Sequence, residues 1–240
     1  MRTLLRRLTP LAWRRRWAMK RRRKRDGGIS FCATRAETDS LAKLTPLTTL
    51  AQPIHDAPRV EEKRANLTKA IGLLQGLQIN PGEVFSFWAA IGEPTAARGW
   101  RAGRTIINDI VSADAGGGLC QLSGLVHHLG ALAGLTVIER HPHSADLYEE
   151  HQRFMPLGLD ATVVYGFKDL RLRNTGEAPV WLSFALAPDE IQGAIVAEKQ
   201  APPCRIELAR ADNATTRTVA VTRVWPDGRR EALSLDRYRI

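Results

Sequence analysis

The sequence predicts an α+β protein in which N-terminal helices pack on a mostly antiparallel sheet. Helical periodicity is strongest in the first half of the chain, over 59–77 and again after three glycines at 116–118. The second half carries short alternating or β-branched runs separated by turn residues, as in 180–184 and 218–225. Helices that precede strands, instead of alternating with them, favour α+β over a parallel α/β sheet.

Composition divides the chain into four segments. Residues 1–25 form a basic N-terminal arm with twelve Lys or Arg and no acidic residue. Residues 26–58 contain scattered prolines and are predicted to be a linker or irregular segment. A core domain is predicted over 59–185, followed by a C-terminal β extension packed on that core over 186–240.

The net charge of +10 resides in the basic arm. Beyond residue 25, 23 basic residues stand against 25 acidic ones, so the remainder of the chain is close to neutral. Arginine interleaved with Trp13 and Trp17 suits an anionic membrane surface, and nucleic acid is a less favoured alternative. A solvated basic tail is the third reading, and Pro10 interrupts any single helix through the arm.

Hydropathy and cysteine usage give an expectation about compartment. A run of about 18 apolar residues, as a transmembrane helix requires, is not found, and the arm lacks the apolar core of a signal peptide. Cys32, Cys120 and Cys204 are odd in number and far apart, which fits neither a disulfide framework nor paired metal ligands. We therefore expect a cytoplasmic protein, peripheral to the inner membrane face through its arm, without a cofactor.

The glycine run leads directly into Cys120 and an apolar helix. Leu122, Leu125 and Leu129 fall on one face of that helix, so Cys120 lies at or just before its N-terminus. Unpaired backbone N–H groups and the helix dipole stabilise an anion at this position, and a thiolate is such an anion. The position predicts a nucleophilic cysteine, with a buried structural cysteine as the alternative.

Two further residue types complete the requirements of thiol catalysis. Such a site needs a histidine that carries the proton and a carboxylate or amide that orients the histidine. A short strand after the helix delivers His141 and His143, and Asp160 precedes a β-branched run. We predict Cys120 as nucleophile, His143 as base and Asp160 as the orienting group. The alternatives are a histidine that only bonds a neighbour and an aspartate that caps a turn.

Residues around this constellation are candidates for binding substrate. Gln121 and the N–H groups of the glycine loop could donate to an oxyanion, and Arg140 could bind a carboxylate or form a salt bridge. Zinc bound by Cys120, His141 and His143 is an alternative, although a fourth ligand is not apparent. The substrate-binding or oxyanion candidates are Gly117, Gly118, Gln121, Ser123, Arg140 and His141.

The order of cysteine, strand histidine and aspartate resembles the transglutaminase-like branch of the papain-like superfamily. The matching features are a small-residue loop before Cys120, a Gly134-Leu135 element after the helix, His143, and Asp160-Ala161-Thr162. This resemblance implies a transglutaminase- or papain-like core that acts as a thiol hydrolase or transferase.

A set of ordered blocks over most of 59–185 resembles the VanW family. Its most specific mark is the string from Gly116 to Ser123, although Ser123-Gly124 stands where relatives usually have Ser-Thr or Thr-Thr. The other blocks are Pro81-Gly82-Glu83-Val84-Phe85-Ser86-Phe87, Ile91-Gly92, Glu139-Arg140-His141-Pro142-His143-Ser144, Gly158-Leu159-Asp160-Ala161-Thr162-Val163 and Asp169-Leu170-Arg171-Leu172-Arg173-Asn174. The family is named from glycopeptide (vancomycin-type) resistance clusters, which implies a link to the cell envelope or peptidoglycan, and it has no settled activity.

Together these observations predict a cysteine-dependent amidase or acyltransferase that acts on a peptide-like or cell-wall-derived substrate. The alternative is a non-catalytic binding module for an anionic peptide or glycan, in which Cys120 only packs.

Overall fold

A computed structural model describes residues 9–107, 110–146 and 153–240 of the chain. Helices and antiparallel sheets coexist in it, which confirms the α+β class. None of the helices within these ranges has both the length and the apolar character needed to cross a lipid bilayer.

Five α-helices and one short 3-10 turn (Ala96–Arg98) lie within the described residues, and two of the helices position the site. The longest are the first and third, of 15 residues each, and the fifth begins directly after the glycine run. The helices are α1 (Leu11–Arg25), α2 (Thr38–Leu41), α3 (Val60–Leu74), α4 (Phe87–Ile91) and α5 (Leu119–Leu132).

The described strands form four antiparallel sheets. One has the order β1-β9-β8-β2, the second β10-β11-β12 and the third β3-β7-β6, while β4 and β5 form a hairpin. The strands are β1 (Thr45–Pro53), β2 (Gln78–Ile79), β3 (Val84–Ser86), β4 (Ala102–Ile107), β5 (Ile110–Ala115), β6 (Thr136–Glu139), β7 (Arg171–Arg173), β8 (Val180–Leu186), β9 (Glu190–Ala197), β10 (Arg205–Asp212), β11 (Thr216–Val224) and β12 (Arg230–Arg239).

Helix α5 forms the centre of the core. Leu122, Leu125 and Leu129 are fully buried, as the apolar period of the sequence predicts. Gly193 of β9 lets the helix approach the sheet closely, because a Cβ there would lie 2.9 Å from a Leu129 methyl. The packing against β1 and β9 fixes the helix axis and therefore the position of Cys120 in its first turn.

The segment 26–58 differs from the predicted linker. It contains β1, which pairs along its length with β9, from Thr45 opposite Ala197 to Pro53 opposite Glu190. The β8–β9 hairpin likewise crosses the predicted boundary at residue 185. Alternation in β1 is masked by two prolines and by partial burial, so the sequence showed no clean period there.

The described part of the basic arm packs against the rest of the protein. Residues 11–25 form α1, and Arg22 is buried with both terminal nitrogens bonded to the Glu139 carboxylate, at 2.8 and 2.5 Å. Asp26, at the end of the helix, forms a bidentate pair with Arg171. Helix α1 is therefore held against the segment that leads to the predicted base. Residues 1–8 of the arm lie outside the described ranges.

Candidate active site

Cys120 is the second residue of α5, as the sequence predicts. The helix begins after Gly118, whose φ of 95° is a left-handed conformation that glycine adopts without strain. Asn66 of α3 holds the loop from behind: its amide nitrogen donates to the carbonyl oxygens of Arg101 and Gly117. The Cys120 side chain is partly exposed, so the thiol is at the surface of the core and not sealed within it.

The first turn of α5 leaves a donor near the sulfur. Leu119 donates its N–H to Gly116, and both Gln121 and Leu122 donate to Gly118. Among the described residues, none accepts from the N–H of Cys120. A free N–H at a helix N-terminus is the kind of donor that stabilises an oxyanion.

His143 and Asp160 are in direct contact. Nδ1 of His143 lies 2.7 Å from Oδ2 of Asp160, and the His143 backbone N–H donates to the same oxygen at 2.6 Å. Two bonds to one carboxylate oxygen fix both the position and the ring orientation of the histidine. Because Nδ1 is engaged, Nε2 is the nitrogen left to face a reacting group.

The Cys120 thiol contacts the carbonyl oxygen of Val163 at 3.9 Å, and it lies close enough to His143 to influence that histidine. Burial disfavours the charged imidazolium, but the hydrogen bond to Asp160 and the nearby Cys120 outweigh it and raise the pKa of His143 to about 10. His143 is therefore protonated at neutral pH in this arrangement.

Asp160 also has partners other than His143. Its Oδ1 accepts from the Tyr238 hydroxyl at 2.6 Å and from Arg140 at 3.0 Å. Burial would raise the pKa of Asp160, but the hydrogen bond to His143 and the charge of Arg140 hold it well below its usual range. The aspartate is thus ionised and fixed, as an orienting group must be.

From the sequence, Arg140 is a candidate for binding a substrate carboxylate, but its position in the structure does not allow that role. Its side chain is 5% exposed, with Nη1 paired to Asp236, Nη2 to Asp160 and Nε donating to the Asp160 carbonyl. Every guanidinium nitrogen is engaged within the protein, so the group has no free edge for a substrate carboxylate. The sequence shows the arginine, but not the β12 carboxylate that lies 96 residues away.

Three other candidates also have structural partners. The Gln121 amide donates to the Pro53 carbonyl at 2.9 Å, which ties α5 to β1 and directs the nitrogen away from an oxyanion. Ser123 donates to the Ala161 carbonyl at 2.6 Å and so links the helix to the Asp160 segment. Nε2 of His141 bonds Glu139 at 2.9 Å and lies outside the triad.

The structure does not support the alternative zinc site. Nε2 of His141 is engaged by Glu139, so His141 does not join Cys120 and His143 as a third ligand. Within the described residues, no group of three or more His, Cys, Asp or Glu is arranged to hold a metal ion.

Sequence reasoning missed the groups that support the triad from distant segments. Tyr238 and Asp236 of β12 contact Asp160 and Arg140, and the Tyr238 hydroxyl also accepts from Gly158 N–H at 2.9 Å. Asn66 of α3, which binds the glycine loop, is 1% exposed. The sequence does offer one indication of such groups: polar residues lie at positions that alternation assigns to the buried face of a strand.

The other cysteines have different surroundings. Cys32 is buried, and burial raises the pKa of its thiol to about 12. Cys204 is also buried, and burial raises the pKa of its thiol. Of the three cysteines, Cys120 alone is partly exposed, and it contributes to the raised pKa of His143.

The chain is similar to known proteins over its core. Residues 62–196 match the family model described as VanW like protein. The Enterococcus faecalis (strain ATCC 700802 / V583) protein named "Vancomycin B-type resistance protein VanW" is 34% identical over 140 residues, which is 58% of this chain and 51% of that protein. The Bacillus subtilis (strain 168) "Uncharacterized protein YoaR" is 29% identical over 115 residues, 48% of this chain and 36% of that protein.

The chain thus spans about half of one curated relative and about a third of the other. No solved structure gave a significant match. The matched segment contains Cys120, His143 and Asp160 and extends from α3 to the end of β9, while Tyr238 lies beyond it. Because the family model covers more than half of the sequence, this chain belongs to the VanW-like protein family.

Proposed function

We propose that the protein is a cysteine-dependent amidase or acyltransferase. The observation that carries this proposal is the His143–Asp160 hydrogen bond beside Cys120, which lies in the first turn of a helix. Nucleophile, base and orienting group are each fixed by contacts from separate elements, which is the arrangement that thiol catalysis requires.

The geometry supports a two-step reaction. The Cys120 thiolate attacks the amide carbonyl carbon, and the oxygen that becomes negative accepts from the Cys120 N–H. The tetrahedral adduct expels the amine, which takes its proton from Nε2 of His143, and leaves an acyl thioester on the sulfur. Water or a second amine then attacks the thioester with His143 as base, which releases the acid or a new amide and restores the thiol.

The substrate class is proposed from the relatives. One relative is named for vancomycin resistance, which supports a peptide-like substrate derived from the cell envelope. The transglutaminase-like order of Cys120, His143 and Asp160 supports acyl transfer as well as hydrolysis, by analogy of the site alone.

We also propose an anionic membrane surface as partner of α1, at the inner face of the membrane. Trp13 and Trp17 are 64% and 66% exposed and lie four residues apart, so they share one helix face. Basic side chains flank them, while the buried Arg22 ties the same helix to the body. Sedimentation with anionic vesicles, which the double variant W13A/W17A should weaken, tests this partner.

An activated ester tests the proposed chemistry without knowledge of the substrate. Incubation with p-nitrophenyl acetate should release p-nitrophenolate in a burst and leave one acetyl group, which peptide mass spectrometry maps to Cys120. The variant Cys120→Ser should lose the burst, whereas Cys204→Ser should keep it. Acetylation that is equal at Cys32, Cys120 and Cys204 would contradict the proposal and favour the non-catalytic binding module.

A further inference from the structure

Lys63 of α3 lies beside the glycine loop that precedes Cys120. Its stem covers the start of α5, since a Cβ built on Gly118 would lie 3.0 Å from the Lys63 Cγ. Its ammonium nitrogen lies 5.9 Å from the centre of the Phe154 ring. The lysine therefore spans from α3 towards the segment that continues to Asp160, across the first turn of α5.

The charge of Lys63 has no counter-ion within the described residues. The neighbouring Glu61 is bonded to Arg64, and no described carboxylate lies within ion-pair distance of the lysine nitrogen. Burial, with a smaller contribution from the Arg64 charge, lowers the pKa of Lys63. A half-buried cation without a partner is costly to the fold, and an anion that arrives with the substrate would offset that cost.

Two groups at the start of α5 attract an anion. The N-terminus of α5 contributes the partial positive charge of the helix, and Lys63 contributes a full charge next to it. Phe154 supplies an apolar wall that excludes water and strengthens the attraction. The lysine ammonium contributes one full positive charge, which matches the single negative charge of a carboxylate.

We propose that Lys63 binds a carboxylate of the substrate next to the bond that Cys120 attacks. This inference rests on the proposed function and deepens it, since it assigns a negatively charged, carboxylate-bearing acyl substrate to the site. Lys63 is a specificity residue in this account and takes no part in proton transfer.

Two alkylating reagents that differ by one carboxylate test the proposal. Iodoacetate and iodoacetamide both transfer a CH₂ group to the Cys120 sulfur and release iodide, but iodoacetate alone is anionic. The ratio of their rates at Cys120, measured by peptide mass spectrometry, should exceed the ratio for free cysteine. The variant Lys63→Met keeps the stem and should lower that ratio roughly tenfold while the iodoacetamide rate is kept.

Lys69 supplies a matched control. It lies on the same helix and also has its nitrogen over an aromatic ring, 5.7 Å from the centre of Trp100, so Lys69→Met removes an equal charge elsewhere. Lys69→Met should leave the ratio unchanged, and Lys63→Arg should largely preserve it. A ratio that is insensitive to Lys63→Met, or equally sensitive to both methionine variants, would overturn the proposal.

The same experiment separates this inference from the proposed function. If Cys120 reacts faster than Cys32 and Cys204 with iodoacetamide but shows no dependence on Lys63, the catalytic account survives and the carboxylate site does not. If Cys120 reacts with neither reagent faster than the buried cysteines, the proposed function is overturned and this inference with it.

Discussion

His141 and His143 lie two residues apart on the same segment, and each bonds a carboxylate. The two histidine–carboxylate pairs have different surroundings. Nε2 of His141 bonds Glu139 at 2.9 Å, and Nδ1 of His143 bonds Asp160 at 2.7 Å. The His141 and Glu139 side chains are 36% and 21% exposed, against 24% and 7% for His143 and Asp160. Sequence spacing alone does not distinguish the pairs, and the difference lies in what each carboxylate and ring contacts.

The Glu139 pair is part of a scaffold. Its carboxylate binds Arg22 of α1 and accepts from the Asp169 N–H at 3.0 Å, so it joins helix α1 to the body. The Asp160 pair, by contrast, lies beside Cys120, which contributes to the raised pKa of His143. A histidine bound to a carboxylate is thus not a catalytic pair until a nucleophile lies at the other nitrogen.

The two pairs should differ most in the unfolding free energy that is lost when each carboxylate is removed. Asp160→Ala leaves Arg140 without one of its two buried partners and should cost about 3–5 kcal/mol of unfolding free energy. Glu139→Ala should cost less, about 1.5–3 kcal/mol, because Arg22 keeps its bonds to the carbonyl oxygens of Gly166 and Phe167. Urea denaturation measures both, and equal costs would contradict the distinction between a buried catalytic carboxylate and a peripheral one.

Removal of each histidine should separate the pairs by reactivity. His143→Ala should lower the rate of Cys120 acetylation by p-nitrophenyl acetate by at least about a hundredfold, because the proton-carrying group beside the thiol is lost. His141→Ala makes the matched control and should change that rate by less than about twofold, since the ring does not reach the sulfur. Comparable losses in both variants would show that the two rings share the role.

Loss of the tyrosine hydroxyl should give the smallest effect. Tyr238→Phe leaves the Gly158 N–H and Oδ1 of Asp160 each without one partner and should cost about 1–3 kcal/mol in thermal or urea unfolding. Tyr165→Phe is the control, since that ring packs edge-to-face on Trp88. An unchanged stability in Tyr238→Phe would show that β12 does not support the triad.

Local features of the site follow from the sequence. The glycine run, the helical period after it and the β-branched run after Asp160 predict where Cys120 and Asp160 lie, and the structure brings both to His143. These signals are short-range: a left-handed glycine, an apolar stripe and a strand entry each depend on a few neighbouring residues.

The supporting contacts do not follow from the sequence, because they join segments that are far apart in the chain. Arg140 pairs with Asp236 and Arg22 with Glu139, and neither partner is indicated by local spacing. The strand in 45–53 was missed for the same reason, since its pairing with β9 outweighs two prolines that locally disfavour a strand. Long-range pairing thus decides whether a charged residue binds substrate or supports the site.

The pH dependence of the His143 ring resonances in an NMR titration tests the central claim most directly. Burial lowers the pKa of His143, but the hydrogen bond to Asp160 outweighs burial and the pKa is raised to about 10, so the ring stays protonated from pH 6 to 9 and loses its proton as pH rises through 10. The account predicts nearly constant ring resonances over that range in the wild-type protein, and in Asp160→Asn a titration that moves back towards the ordinary histidine pKa of about 6.5. A wild-type His143 ring that loses its proton near pH 6.5 would contradict the account.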